Sequence, residues 1–152
     1  IGPLAREDGA ELARRLAQDP DLAGRVRLRG RVPPERAWAS ARGAWAGLAL
    51  LDQTPAFGRS MPSKVYEYLA CGLPVITTPL PRPAALIRQT GAGAVVEDAV
   101  GAARVLRAWQ SDPAAYRQVR QAAAAARAQA LAQPDEMAAF ARRVQSLAGQ
   151  TG

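Results

Sequence analysis

Four residues in one short stretch have the types and spacing for chemistry: Ser63, Lys64, Val65 and Glu67, within Met61-Pro62-Ser63-Lys64-Val65-Tyr66-Glu67-Tyr68-Leu69-Ala70-Cys71-Gly72. The stretch predicts a helix from Ser63 to Cys71, with Ser63 a candidate N-cap and Gly72 a stop at C′. The first N–H groups of such a helix have no intrahelical acceptor, and the helix dipole places positive potential there, which makes an anion site. Lys64 adds a full charge at that end. A cation there is unfavourable by roughly 0.3–1 kcal/mol unless an anion joins it, and a phosphate reverses the sign. Glu67 lies four residues after Ser63, on the same side of the helix. A carboxylate in that place can accept two hydrogen bonds from a vicinal diol such as a ribose. A diphosphate at the helix tip with a ribose beside it describes a nucleotide-diphosphate site.

Plainer readings account for the same residues. Ser63 can be a cap and nothing more, and Lys64 and Glu67 can form an i, i+3 surface ion pair. Tyr66, Tyr68 and Leu69 read as packing residues, and Cys71 as a small buried hydrophobe.

Composition narrows the classes. The chain has 152 residues, 49% hydrophobic, which suits one compact domain. With a single Cys and no His, neither a disulfide framework, a Cys/His zinc site nor a His-based nucleophile system is available within the chain, and no metal site is expected. No apolar run reaches the length of a membrane span, and no secretory pattern opens the sequence. The charge of +7 suggests a polyanion partner, but it is dispersed: residues 1–76 carry 11 basic and 8 acidic groups, residues 77–152 carry 9 and 5. Aromatic content is 5%, too low for base stacking, so no nucleic-acid partner is expected. Arg supplies 19 of the 20 basic residues and Ala 35 of all positions, which makes the lone Lys64 stand out.

The surrounding pattern alternates helices and strands. Residues 7–18 predict a helix, 26–29 a short strand ending at Gly30, 33–41 a helix begun by Pro, and 46–51 a strand buried on both faces. After the 52–62 loop and the 63–71 helix come a β-branched strand at 74–78, a helix near 83–89 and a strand at 94–96. Residues 99–110, 113–132 and 135–148 then read as helices, the last two Ala-rich. Alternation of this kind implies an α/β domain with a parallel sheet and helices on both faces, with ligands at the carboxyl ends of the strands. The chain is taken as one domain, 1–152, with a βα core at 1–98 and helices at 99–152.

The motif Pro62-Ser63-Lys64-x-x-Glu67-Tyr68-Leu69-Ala70-x-Gly72-x-Pro74-Val75-Ile76 resembles the donor-site signature of the GT-B retaining glycosyltransferases of family 4. Residues 26–32 resemble that family's strand and "G-x-V" turn, 46–51 its next strand, and 91–96 its "g-x-G-x-x-v" segment. The resemblance implies the C-terminal, Rossmann-like half of a GT-B fold, truncated at its amino end and closed by Ala-rich helices. It implies that Glu67 binds ribose hydroxyls, that Ser63, Lys64 and Val65 offer N–H groups to a diphosphate, and that Gly30, Arg31 and Val32 contact the base. A sugar-contacting Glu that the family often places eight positions before the ribose-binding Glu is replaced here by Arg59, which would meet phosphate, an acidic sugar or solvent.

The intact protein would transfer a hexose from a UDP- or GDP-sugar to a hydroxyl acceptor, the nucleotide sugar being substrate and no cofactor being required. Its catalytic groups, and the other Arg and Lys that hold the diphosphate, would lie upstream. Ile1-Gly2-Pro3 reads as the end of the strand that follows them, and the implied partner is an N-terminal Rossmann-like domain of the same protein. The implied location is cytoplasmic, including peripheral contact with a membrane's inner face in polysaccharide or glycolipid synthesis. Two alternatives stand beside this one: half of a GT-B UDP-sugar 2-epimerase, and a degenerate binding module without catalysis.

Overall fold

The computed structural model describes residues 6–41, 43–55, 57–58 and 60–132. By its internal contacts the chain divides into two units, Ile1–Ser40 and Ala41–Gly152.

The first unit is helical where described. α1 (Arg6–Gln18) opens with Glu7 and Asp8, which suit the positive end of its dipole. Glu11 accepts from Arg14 and Arg15 along the same helix, at 2.8 and 2.6 Å. Those two guanidiniums, Arg14 first, hold the Glu11 carboxyl below its ordinary value. α2 (Pro20–Arg25) was not foreseen, although its signals are local: Asp19 accepts from the Leu22 N–H at 2.9 Å and Pro20 sits in the first turn. α3 (Pro34–Ala41) forms as expected.

The strand expected at 26–29 is not formed. The Val26 N–H closes α2 on the Leu22 carbonyl, Leu28 is 57% exposed, and no strand among the described residues of the unit offers a ladder. Alternation without a pairing partner and an apolar face to cover does not hold a strand.

The second unit is a Rossmann-like α/β layer structure. β1 (Gly47–Ala49), β2 (Val75–Thr77) and β3 (Gly93–Val95) form a parallel sheet in the order β1-β2-β3. Gly47, Val75 and Gly93 stand in register, as do Ala49, Thr77 and Val95. The crossovers are α4 (Ser63–Ala70) and α5 (Pro81–Thr90), and α6 (Ala99–Ser111) and α7 (Pro113–Ala132) follow.

Alternate side chains of central β2 point to opposite faces. Val75 joins a cluster with Val65 and Leu69 of α4, Ile87 of α5 and Ala123 of α7. Ile76 joins another with Ala102 and Trp109 of α6, against which Tyr116 and Val119 of α7 pack. The helices therefore cover both faces, and α7 contributes to both clusters. β2 is wholly buried, whereas β1 is not buried on both faces as expected: Leu48 is 46% exposed, because β1 is the edge strand. The helix expected at 135–148 lies outside the described residues.

Two devices fix the sheet's ends. At the carboxyl end, the Thr78 hydroxyl donates to the Leu51 carbonyl at 2.6 Å and accepts from the Leu51 N–H at 3.2 Å. It thus ties the loop leaving β1 to the loop leaving β2. At the amino end, the Tyr116 hydroxyl donates to the Trp45 carbonyl at 2.9 Å, and its ring stacks on Trp45 at 4.4 Å.

Candidate functional site at the start of α4

Parallel β1, β2 and β3 deliver three chain segments to the carboxyl end of the sheet, each leading into a helix. The three helix starts differ in what they offer an anion.

α6 is closed by its own carboxylate: Asp98 accepts from the Gly101 N–H at 2.7 Å. α5 begins Pro81-Arg82-Pro83 after Leu80, so two of its first three positions have no N–H to give. α4 is open. Its N-cap is Pro62, with no side-chain cap, so Ser63 is the first helical residue rather than the cap that the sequence suggested. The Val65 N–H donates to the Pro62 carbonyl at 3.0 Å. The Ser63 and Lys64 N–H groups meet no acceptor among the described residues. Of the three expected N–H donors, Ser63 and Lys64 are therefore the uncommitted pair.

The loop of 52–62 keeps that start in place by short local bonds. The Phe57 and Gly58 N–H groups both donate to the Thr54 carbonyl at 3.0 Å, and the Ser60 hydroxyl to the Phe57 carbonyl at 3.0 Å. Val65 and Leu69 then fasten α4 to the core, at 0% and 6% exposure. They turn the opposite face of the helix, with Ser63 and Glu67, to solvent.

Lys64 is half-buried and Glu67 exposed, and they do not pair. Among the described residues the ion pairs are those of Glu11, so the i, i+3 pair is not formed. Lys64 and Glu67 stand one helical turn apart with their charges unspent. Tyr68 packs its ring over Gly47 of β1, and its hydroxyl reaches the Leu48 carbonyl at 3.4 Å. Burial raises the Tyr68 phenol above its ordinary value, and the Glu67 charge adds to the rise. Tyr66 is 53% exposed, so of the three residues read as packing only Tyr68 and Leu69 pack. Cys71 is half-buried at the C-cap rather than sunk in the core.

Gly30, Arg31 and Val32 belong to the first unit. Gly30 has φ +58, Gly30 and Arg31 are exposed, and Val32 is half-buried in a cleft of about 440 Å³ with Arg29, Arg36, Ala39 and Ser40. Arg59 lies outside the described residues. Among the described residues no group of three or more Cys, Asp or Glu side chains converges as a metal site would require, and no helix is long and apolar enough to cross a membrane.

One signal at this site was invisible in the sequence. α5 begins at Pro81 rather than near residue 83, so the lack of an N–H at two of its first three positions shows only in the observed boundary.

Residues 10–146 match a family model described as glycosyl transferase-like. Neither the curated proteins nor the solved structures contain a match to the chain.

Proposed function

The chain belongs to this glycosyl transferase-like family, and from that premise we propose that its second unit binds the nucleotide-diphosphate portion of a sugar donor at the start of α4. The observation that carries the reading is the open first turn of α4: among the described residues, two uncommitted N–H groups and an unpaired Lys64, with Glu67 one turn on. In a glycosyl transfer the bond from the anomeric carbon to the diphosphate breaks and charge builds on the departing diphosphate. Fixed positive groups stabilise that charge without waiting for solvent to reorganise. The Ser63 and Lys64 N–H groups and the Lys64 ammonium would meet the diphosphate, and the Glu67 carboxylate would accept from the ribose hydroxyls. Arg59 would stand near the sugar in place of the family's frequent Glu. Gly30, Arg31 and Val32 would serve the base.

The finer reading is a retaining hexosyltransferase of the GT-B type. The described residues would form its donor half, with catalytic groups supplied by an N-terminal Rossmann-like partner domain in the cytoplasm. The 152 residues alone would then bind nucleotide without turning over a sugar donor.

Calorimetric titration of UDP, GDP and ADP tests this. One of them should bind saturably, and Glu67→Ala should weaken it about 10- to 100-fold, the value of a charge-assisted hydrogen-bond pair. Absence of binding by all three, or an unchanged affinity in Glu67→Ala, overturns the reading.

A further inference from the structure

At the other end of α4 from the proposed donor site, a second positive cleft opens against α7. It has a volume of about 450 Å³ and is lined by Cys71, Gly72, Arg120, Gln121, Ala124 and Arg127, with Ala128 at its edge. That size suits a small ligand. The lining holds two guanidiniums and no carboxylate. α7 itself carries Arg117, Arg120 and Arg127 and no acidic residue.

Arg120 Nη1 is buried and has no hydrogen-bond acceptor among the described residues. A charged N–H removed from water without a partner is costly, so its presence calls for an oxyanion. The carbonyls at the end of α4 do not accept from it. Those of Glu67 and Tyr68 take the Cys71 N–H, that of Tyr68 also takes the Leu73 N–H, and that of Leu69 takes the Gly72 N–H. Arg127 stands two helical turns beyond Arg120, hence on the same face of α7. Its Cδ lies 4.0 Å from where a Cβ on Gly72 would be. Gly72 holds φ +69, so the chain turns there without a side chain to fill the cleft.

We propose that this cleft binds a small dianionic oxyanion, a phosphate group or a dicarboxylate, through Arg120 and Arg127. Planar guanidiniums match both anions through paired N–H donors. The site is separate from the donor reading and does not rest on it. The eight residues of α4 put about 12 Å between its two ends.

The test uses the full chain with inorganic phosphate and succinate as probes, followed by amide chemical shifts and by thermal midpoint. At least one probe should shift Gly72, Gln121 and Ala124 saturably and raise the midpoint. Binding of phosphate alone, or of succinate alone, supports the site and identifies its ligand class. Arg120→Gln should reduce affinity at least tenfold and abolish the rise in midpoint, while Arg107→Gln, on the exposed side of α6, should change neither. In buffer free of both anions, the Arg120→Gln midpoint should equal or exceed that of the parent, since the variant removes an unsatisfied buried charge. A lowered midpoint would mark Arg120 as a structural residue and overturn the proposal. Should Arg120→Gln fail to fold, that too overturns it, and Arg127→Gln gives an independent measure through an affinity loss of at least threefold. Shifts confined to Ser63 and Lys64, or no saturation by either probe, equally overturn it.

Discussion

Tyr68 joins three roles in one side chain. Its ring roofs Gly47, its hydroxyl points at the Leu48 carbonyl, and its phenol carries a raised pKa from burial and from Glu67. The neutral phenol is therefore favoured in the folded chain. The unfolded chain ionises this tyrosine first, near pH 10. Its contribution to stability is complete below that pH and is lost as pH rises through the folded-state value. Denaturant midpoints measured from pH 8 to 11 should fall at the alkaline end, and less steeply in Tyr68→Phe than in the parent. At pH 7 the same variant should cost less than about 1 kcal/mol, because the 3.4 Å hydrogen bond it removes is long. At this scale the sequence supplies spacing: residue types and separation alone put Lys64 and Glu67 one turn apart on α4. It does not mark out Arg120. One Arg among 19 acquires meaning only when tertiary packing buries its Nη1 and leaves it without an acceptor. Ser63 is the first helical residue and not the N-cap, since the helix begins one residue earlier than a serine cap requires.

Elements followed from the sequence where two signals agreed. α4, α6 and α7 each combine apolar periodicity with Gly or Pro punctuation, and all three fall within one or two residues of the expected bounds. Residues 26–29 had alternation alone, and without a strand to pair with among the described residues they stay irregular. Glycines within strands were ambiguous in sequence but have clear physical roles. A Cβ on Gly93 would stand 1.8 Å from the Val75 carbonyl oxygen, and one on Gly47 would stand 2.2 Å from the Tyr68 ring. The first obstacle is backbone, the second a side chain. Gly93→Ala should therefore destabilise by about 3 kcal/mol or more, with no single side-chain change restoring it. Gly47→Ala should be partly relieved by Tyr68→Ala, giving a coupling of about 1 kcal/mol or more in a double-mutant cycle by urea unfolding. Thr78→Val removes both hydrogen bonds to Leu51 in a part-buried place. It should cost about 1–3 kcal/mol. It should also weaken any nucleotide bound at α4, because Leu51 begins the loop that delivers Ser63 to its position.

For the whole molecule, the distribution of buried side chains matters more than the length. Every described residue in the buried core, from Ala49 and Val65 to Trp109 and Ala123, lies in the second unit. α1 and α2 contain no buried residue. Arg14 and Arg15 both meet Glu11 in exposed i, i+3 and i, i+4 pairs, which water screens and which therefore add little to stability. Composition could not show this asymmetry, because the first unit too carries apolar residues at helical spacing, such as Leu12 and Leu16. Secondary structure without burial is marginal at these lengths: isolated helices of 13 and 6 residues do not hold in water. The sheet, its two covered faces and the aromatic contact of Trp45 with Tyr116 are, in contrast, complete within 41–152. A chain of 41–152 should accordingly unfold cooperatively in urea with most of the parent's transition slope, and a chain of 1–40 should show little helix by circular dichroism at 25 °C. If nucleotide binding resides at the start of α4, the 41–152 chain should retain the Glu67-dependent part of that affinity. If 41–152 folds but binds no nucleotide while the full chain does, then residues of the first unit, Gly30, Arg31 and Val32 foremost, must supply the decisive contacts rather than Lys64 and Glu67.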